Sequence, residues 1–265
     1  WRYSPTLEES IANMKDVKLE DIRRFHREFY GAGAAEISIV GDFDADRMAA
    51  VLKELFADWK ASKPYARVPV KHGDIAPANL QVLTPDKENA IFLARQNLDL
   101  RDDDPDFPAL YVANYILGGG GFVSRLMHEV REQRGMAYSV YSYFMPMQQA
   151  GAFQIGLQTK KEQADEALKV VREAVSDFIE KGVAEKELRA AKQNIIGGFP
   201  LRIDSNKKLL GYLQVIGFYN LALTYLDDYP LAVEAVTLAQ IKDAFKRRVD
   251  PQLMASVVVG GEATK

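Results

Sequence analysis

The stretch LGGGGFVSRLMHEVREQRGMAYSVYS, Leu117 to Ser142, is unlike the rest of this chain. Four glycines, Gly118 to Gly121, run into a short charged helical segment; Gly135 breaks it, and an apolar, tyrosine-rich run follows. A phosphate loop of the Walker type needs Lys and then Ser or Thr after its last glycine. Here Phe122 and Val123 follow Gly121, and no lysine is near. A dinucleotide fingerprint needs its glycines between a strand and a helix, whereas this run follows a helical pattern near Pro108 to Leu117. Residues without Cβ instead allow movement, or close approach of the backbone to an extended ligand.

The segment after the glycines has its own logic. Ser124 is placed to cap a helix, Arg125 to Arg134 has helical composition, and Gly135 suits a left-handed residue at its end. From Met136 the sequence alternates as a strand. Arg131 therefore falls on the last turn of a short helix and Tyr138 on the strand leaving it, so the two can converge beside a sheet. A guanidinium and a phenol aimed together supply donors for carbonyl oxygens and for an oxyanion. Spacing alone leaves the other reading open: an arginine paired to a carboxylate, and a tyrosine packed in the core.

The rest of the composition narrows the chemistry. The chain has 265 residues, a net charge of -3 and acidic residues interspersed among its basic ones, which argues against a polyanion-binding role. It has no cysteine, so disulfides, thiolate catalysis and cysteine-ligated metal are excluded. Its histidines, His26, His72 and His128, include no pair at helical spacing. His128 to Glu132 reads HExxE, one imidazole short of the zincin HExxH, and the inverted HxxEH does not occur. No G-x-S-x-G is present, and Asp102 to Asp104 and Asp227-Asp228 read as turn and cap residues. No run approaches the roughly 20 apolar residues of a membrane span.

Periodicity predicts helices over Thr6 to Val17, Leu19 to Tyr30 and Ala45 to Lys60, with a short strand in AAEISIVGD between the last two. Ala61 to Asn79, rich in Pro, Gly and small residues, is the linker candidate. Strands are expected at Leu80 to Pro85, Ala90 to Leu98, Met136 to Met145, Gly151 to Thr159 and Ala255 to Gly261, with three or four helices before the last. One internal echo matters. Val17 to Gly41 aligns without gaps on Val236 to Gly260, so that Val17, Leu19 and Ile22 fall on Val236, Leu238 and Ile241. Both copies read as helix, turn and a strand closed by Val-Gly, either a repeated domain ending or convergent helix–strand patterning.

Taken whole, Leu117 to Val140 resembles the C-terminal-half signature of the inverzincin peptidases: pitrilysin, insulin-degrading enzyme, mitochondrial processing peptidase and their bacterial relatives. The signature is a glycine-rich loop, Ser124-Arg125-Leu126, then Arg131, Glu132, Gly135, Ala137 and Tyr138. The resemblance covers essentially the whole chain and implies an α+β fold in duplicate, each copy an antiparallel sheet with helices packed on it. Residues 1–70 would close a first peptidase-like domain and residues 71–265 would form the second, substrate-binding one. It implies that Arg131 and Tyr138 serve as catalytic ligands to the substrate carbonyl and oxyanion, and that Gly118, Gly119, Gly120, Gly121, Phe122 and Ser124 line the substrate chamber. Zinc would belong to the assembled enzyme, none of it held by this chain, which lacks HxxEH and is expected to be inactive alone.

The expected partners are a peptide substrate and an HxxEH-bearing domain or subunit, in a homo- or heterodimer, with no nucleic acid and no membrane span. The chain starts at Trp1 as if something upstream were missing. The absence of cysteine and the resemblance to bacterial pairs lean towards a periplasmic setting. Two rivals stand beside this reading: a non-catalytic scaffold or assembly protein of the same fold, and a nucleotide-binding module using the glycine run.

Overall fold

The computed structural model describes residues 4–67, 72–146 and 151–260. Its elements begin with α1 (Leu7–Asp16), α2 (Leu19–Phe29) and α3 (Ala45–Phe56). Strands β1 (Ala78–Val82) and β2 (Asn89–Leu98), helix α4 (Phe107–Asn114), and strands β3 (Ala137–Phe144) and β4 (Gly151–Lys160) follow. Helices α5 (Ala164–Lys181), α6 (Glu185–Gly198), α7 (Asn206–Tyr219), α8 (Tyr225–Ala235) and α9 (Leu238–Arg248) lead to β5 (Ala255–Val259). The backbone divides into two compact units, Trp1–Val68 with Ser205–Leu221, and Pro69–Asp204 with Ala222–Lys265.

In the first unit the N-terminal helices have well-formed ends but bury little. Thr6 caps α1 with a reciprocal capping box to Glu9. Asp44 caps α3 through the Arg47 amide. Yet α1, α2 and α3 bury no residue, and the stripe Ile22, Phe25 and Phe29 of α2 stays exposed. Arg67 stacks on Phe218 at 4.1 Å and donates to that residue's carbonyl, tying the end of the stretch to α7. The strand expected in AAEISIVGD does not form: its residues enter no ladder among the described ones. A strand exists only where a neighbour accepts its N–H and C=O groups. Of the expected linker, residues 68–71 lie outside the described residues, as does Gly261 of the closing strand.

In the second unit, β2 sets the layer. Its alternation buries Ala90, Phe92, Ala94, Gln96 and Leu98 on one face and turns Ile91 and Leu93 to the other. The sheet order is β1-β5-β2-β4-β3; β1 runs parallel to β5, and the remaining pairs are antiparallel. Helices α4, α5 and α9 pack on the buried face or on one another. Phe245 of α9 meets Phe178 of α5 at 4.8 Å and Phe153 of β4 at 5.8 Å, an aromatic contact that joins both helices to the sheet. Buried Gln96 bridges the turn after α9, donating to the Arg248 carbonyl and accepting from the Asp250 amide. Arg247 and Arg248 then reach Asp106 and Asp104, which pins the end of α9 to the loop before α4.

The glycine run begins inside this core. After α4 the helix widens to π geometry over Tyr115–Gly119, and the Gly120 amide bonds to the Tyr115 carbonyl at 2.8 Å. The widened turn lies on β3. A Cβ on Gly118 would come within 2.5 Å of the Ser142 amide nitrogen, and one on Gly119 within 2.6 Å of the Asn114 side chain. Asn114 and Ser142 satisfy each other there: Asn114 Nδ2 donates to the Ser142 carbonyl at 3.0 Å, and Ser142 Oγ donates to Asn114 Oδ1 at 2.7 Å. Gly118→Ala is predicted to destabilise the chain by about 1–3 kcal/mol through overpacking. Gly197→Ala in α6, where a new Cβ meets nothing within 4 Å, is predicted to be neutral or to stabilise by less than about 1 kcal/mol. Urea unfolding of the two variants checks the contrast.

Candidate functional site

The motif segment is built from three local departures from regular geometry. The first is the widened turn before Gly120. The second is the helix expected over Arg125 to Arg134, which runs as a π-helix over Met127–Glu132. There the Gln133 amide bonds to the His128 carbonyl at 2.9 Å, five residues back. Gly135, at φ 63°, ends it as expected, and the Met136 amide returns to the Val130 carbonyl. The third is a β-bulge: the β3–β4 register passes from Ala137↔Thr159 to Ser139↔Gln158, leaving Tyr138 as the extra residue on an edge strand.

These departures bring Arg131 and Tyr138 together. The Arg131 guanidinium lies 5.8 Å from the Tyr138 ring centre and 5.1 Å from that of Phe122. Tyr138 is 77 % exposed and Phe122 66 % exposed, so neither ring is packed in the core. Among the described residues Arg131 forms no ion pair, and the Tyr138 hydroxyl forms no hydrogen bond. Arg131 thus presents its five N–H donors, and Tyr138 its hydroxyl, at one place on the surface.

The glycine loop separates into two parts. Gly119, Gly121 and Phe122 are exposed and Gly120 is half-buried, whereas Gly118 and Ser124 are buried. Ser124 is fully enclosed; its Oγ donates to the Gly121 carbonyl at 2.7 Å and caps the following helix at the Met127 amide. Its part is architectural. Gly121, at φ 61°, takes the left-handed conformation that a side chain resists.

A second arginine holds the segment in place, one whose partner the sequence did not disclose. Arg125 forks onto Glu187 at 2.7 and 2.6 Å, donates to the Gly182 carbonyl at 3.0 Å and stacks over Phe178 at 5.0 Å. Glu187 also accepts from the Ala184 amide at the start of α6. The Arg125 guanidinium beside it holds the Glu187 carboxyl below the usual carboxylate range, against the opposing effect of burial. Sixty-odd residues of chain lie between the partners, and no local pattern could have paired them.

The histidines have other employment. His26 stacks between Tyr30 and Trp59, His72 contacts Asp74, and His128 lies between Glu132 and Gln133. Among the described residues no group of three or more His, Asp or Glu side chains gathers as a metal site would require. These described residues do not fit a zinc ion. No helix among the described residues is long and apolar enough to cross a membrane.

The chain as a whole is similar to known proteins. The family described as Peptidase M16 inactive domain matches residues 16–195. The chain is 26% identical over 253 residues to a Helicobacter pylori protein named non-peptidase homolog YmxG, covering 94% of this chain and 57% of that protein. It is 29% identical over 207 residues to a Streptomyces coelicolor protein named as an uncharacterized zinc protease, covering 76% of this chain and 44% of that one. The crystal structure of a peptidase M16 inactive domain from Pseudomonas fluorescens superposes with a TM-score of 0.84 at 33% identity, over 94% of this chain and 59% of that one. The chain therefore spans about half the length of the curated relatives it matches.

The Arg125–Glu187 fork carries a signed pH dependence. Because the folded-state pKa of Glu187 is depressed, the fork contributes stability above the unfolded value of about 4.3, and that contribution disappears as pH falls. Glu187→Gln is expected to be less stable than the parent at pH 7, with the gap closing below about pH 4.3. Urea unfolding across that range measures it; a gap independent of pH would contradict the assignment.

Proposed function

The chain belongs to the Peptidase M16 inactive domain family, and on that premise we propose that it is the substrate-binding half of a zinc-dependent metalloendopeptidase. The observation that carries the proposal is the pairing of an arginine that has no acid partner among the described residues with an exposed phenol, the one on a π-helix and the other at a β-bulge. Arg131 orients a peptide carbonyl, and Tyr138 donates its hydroxyl to the oxygen that gains charge as that carbonyl is attacked. Gly119, Gly121 and Phe122 form the near wall for the peptide backbone. The zinc-bearing HxxEH site belongs to another domain or to a partner subunit, which makes the working unit a homo- or heterodimer of domains.

The N-terminal helices are consistent with the same reading. Helices α1, α2 and α3 bury no residue and present Ile22, Phe25 and Phe29 to solvent, as expected if residues 1–70 close a first peptidase-like domain and residues 71–265 form the second. A second reading has one observation in its favour, the name non-peptidase homolog borne by the Helicobacter pylori relative. On that reading the fold is kept as a scaffold that hydrolyses nothing.

One experiment separates the two. The chain is combined with an HxxEH-bearing domain or subunit, and peptide cleavage is followed. Arg131→Ala and Tyr138→Phe are each expected to lower kcat/KM by about a hundredfold or more. Their melting temperatures should stay within a degree or two of the parent, because both side chains are at the surface. Cleavage unchanged by either substitution, or absent from every such assembly, favours the scaffold.

A further inference from the structure

At the β1–β5 end of the sheet the helical layer stops short. Ala94 of β2, Ser256 of β5 and Asn79 of β1 stand in one register row, on the face that carries the core. Further along the sheet that face is covered by α5, which turns Val171 and Val175 inward. Between them lies a cavity of about 330 Å³ with Phe92 and Ile155 in its floor. Its size falls at the lower end of the roughly 300–1,000 Å³ usual for small-molecule sites.

The floor and the mouth differ in chemistry. Phe92, Ile155, Val171 and Val175 are buried and carry no polar side-chain atoms. At the mouth, Arg172 Nη2 donates to Asn79 Oδ1 at 3.1 Å, and the same oxygen accepts from Ser256 Oγ at 2.5 Å. No carboxylate among the described residues forms an ion pair with Arg172; its neighbour Glu173 faces Lys169 at 3.9 Å. A guanidinium thus shares one neutral amide oxygen with a hydroxyl, at the entrance to an apolar hollow.

We propose that this cavity binds an amphipathic monocarboxylate, with its hydrocarbon tail against Phe92, Ile155 and Val175 and its carboxylate on Arg172. An ionised acceptor makes a shorter bond to a guanidinium than an amide oxygen does, and one about twice as strong. A cavity walled by aliphatic and aromatic side chains takes up apolar groups in preference to water. A single cation at the mouth matches one negative charge and gives a dianionic phosphate no second partner. An amine would be repelled. The inference concerns a place apart from Arg131 and Tyr138 and does not depend on peptide hydrolysis.

The test is calorimetric titration of the chain with octanoate below its micelle concentration, with 1-octanol as the same tail without charge and acetate as the head alone. Octanoate is expected to saturate one site, with octanol at least about tenfold weaker, as loss of a charge-assisted bond implies, and acetate silent. Arg172→Gln should bring octanoate down to the octanol affinity. Ala94→Leu should abolish both by filling the cavity, and Val175→Phe does the same if the leucine variant fails to fold. Absence of saturable octanoate binding, equal affinities for octanoate and octanol in the parent, or binding indifferent to these substitutions would each overturn the proposal.

Discussion

The arrangement around the motif depends on one close approach: the backbone of Gly118 resting on the backbone of β3 at Ser142. No other residue type fits there, because the first side-chain carbon would meet the strand's amide at 2.5 Å. The approach brings polar backbone into the core, and Asn114 makes that tolerable by offering its amide to Ser142 in both directions. Without that reciprocal pair, the strand's carbonyl and the serine hydroxyl would be buried without partners, at a cost of about 1–3 kcal/mol for each group. The glycines thus serve the packing of the segment first, and only Gly119, Gly121 and the residues after them are left for a ligand.

From that anchor the chain runs to a second one. Ser124 turns inward and caps, Arg125 forks onto Glu187, and the π-helix between them and Gly135 is held at its start by the α5–α6 turn and at its end by β3. Arg131, half-buried on this segment, forms no ion pair among the described residues and faces the rings of Phe122 and Tyr138. Widened helices and bulges are less favourable than regular ones, and they persist where the surrounding structure enforces them. Here two widened turns and one bulge fall within thirty residues, and what they achieve jointly is the convergence of Arg131, Tyr138 and Phe122.

Much of this was legible in the sequence because it rests on local signals. The alternation of β2, the glycine after Arg134 and the spacing of Arg131 from Tyr138 are written in neighbouring residues, and the α+β architecture was implied by the family resemblance that the motif carries. Three features were not legible. The π geometry of Met127–Glu132 depends on what its ends are tied to, since its composition suits an α-helix equally well. The inward turn of Ser124 depends on the glycine loop folding back over it. Glu187 looks like any first-turn glutamate of a surface helix, and only the folded chain brings it under Arg125.

The internal echo shows most directly where local information stops. Helices α2 and α9 begin and end at matched positions, and the short turns Ala32–Ala34 and Pro251–Leu253 that follow them match as well. Sequence therefore sets helix, turn and exit alike in both copies. The outcomes then diverge. Ile241 of α9 is 0 % exposed, while its counterpart Ile22 of α2 is 58 % exposed. Residues 255–259 become a strand between β1 and β2, while residues 36–40 form no ladder. The copies differ in what each has to pack against, because a strand needs edges to bond to and an amphipathic helix needs a face to cover. The second copy finds both in its own unit. The first has no sheet among the described residues of its unit to act on, and Ile22, Phe25 and Phe29 stay exposed.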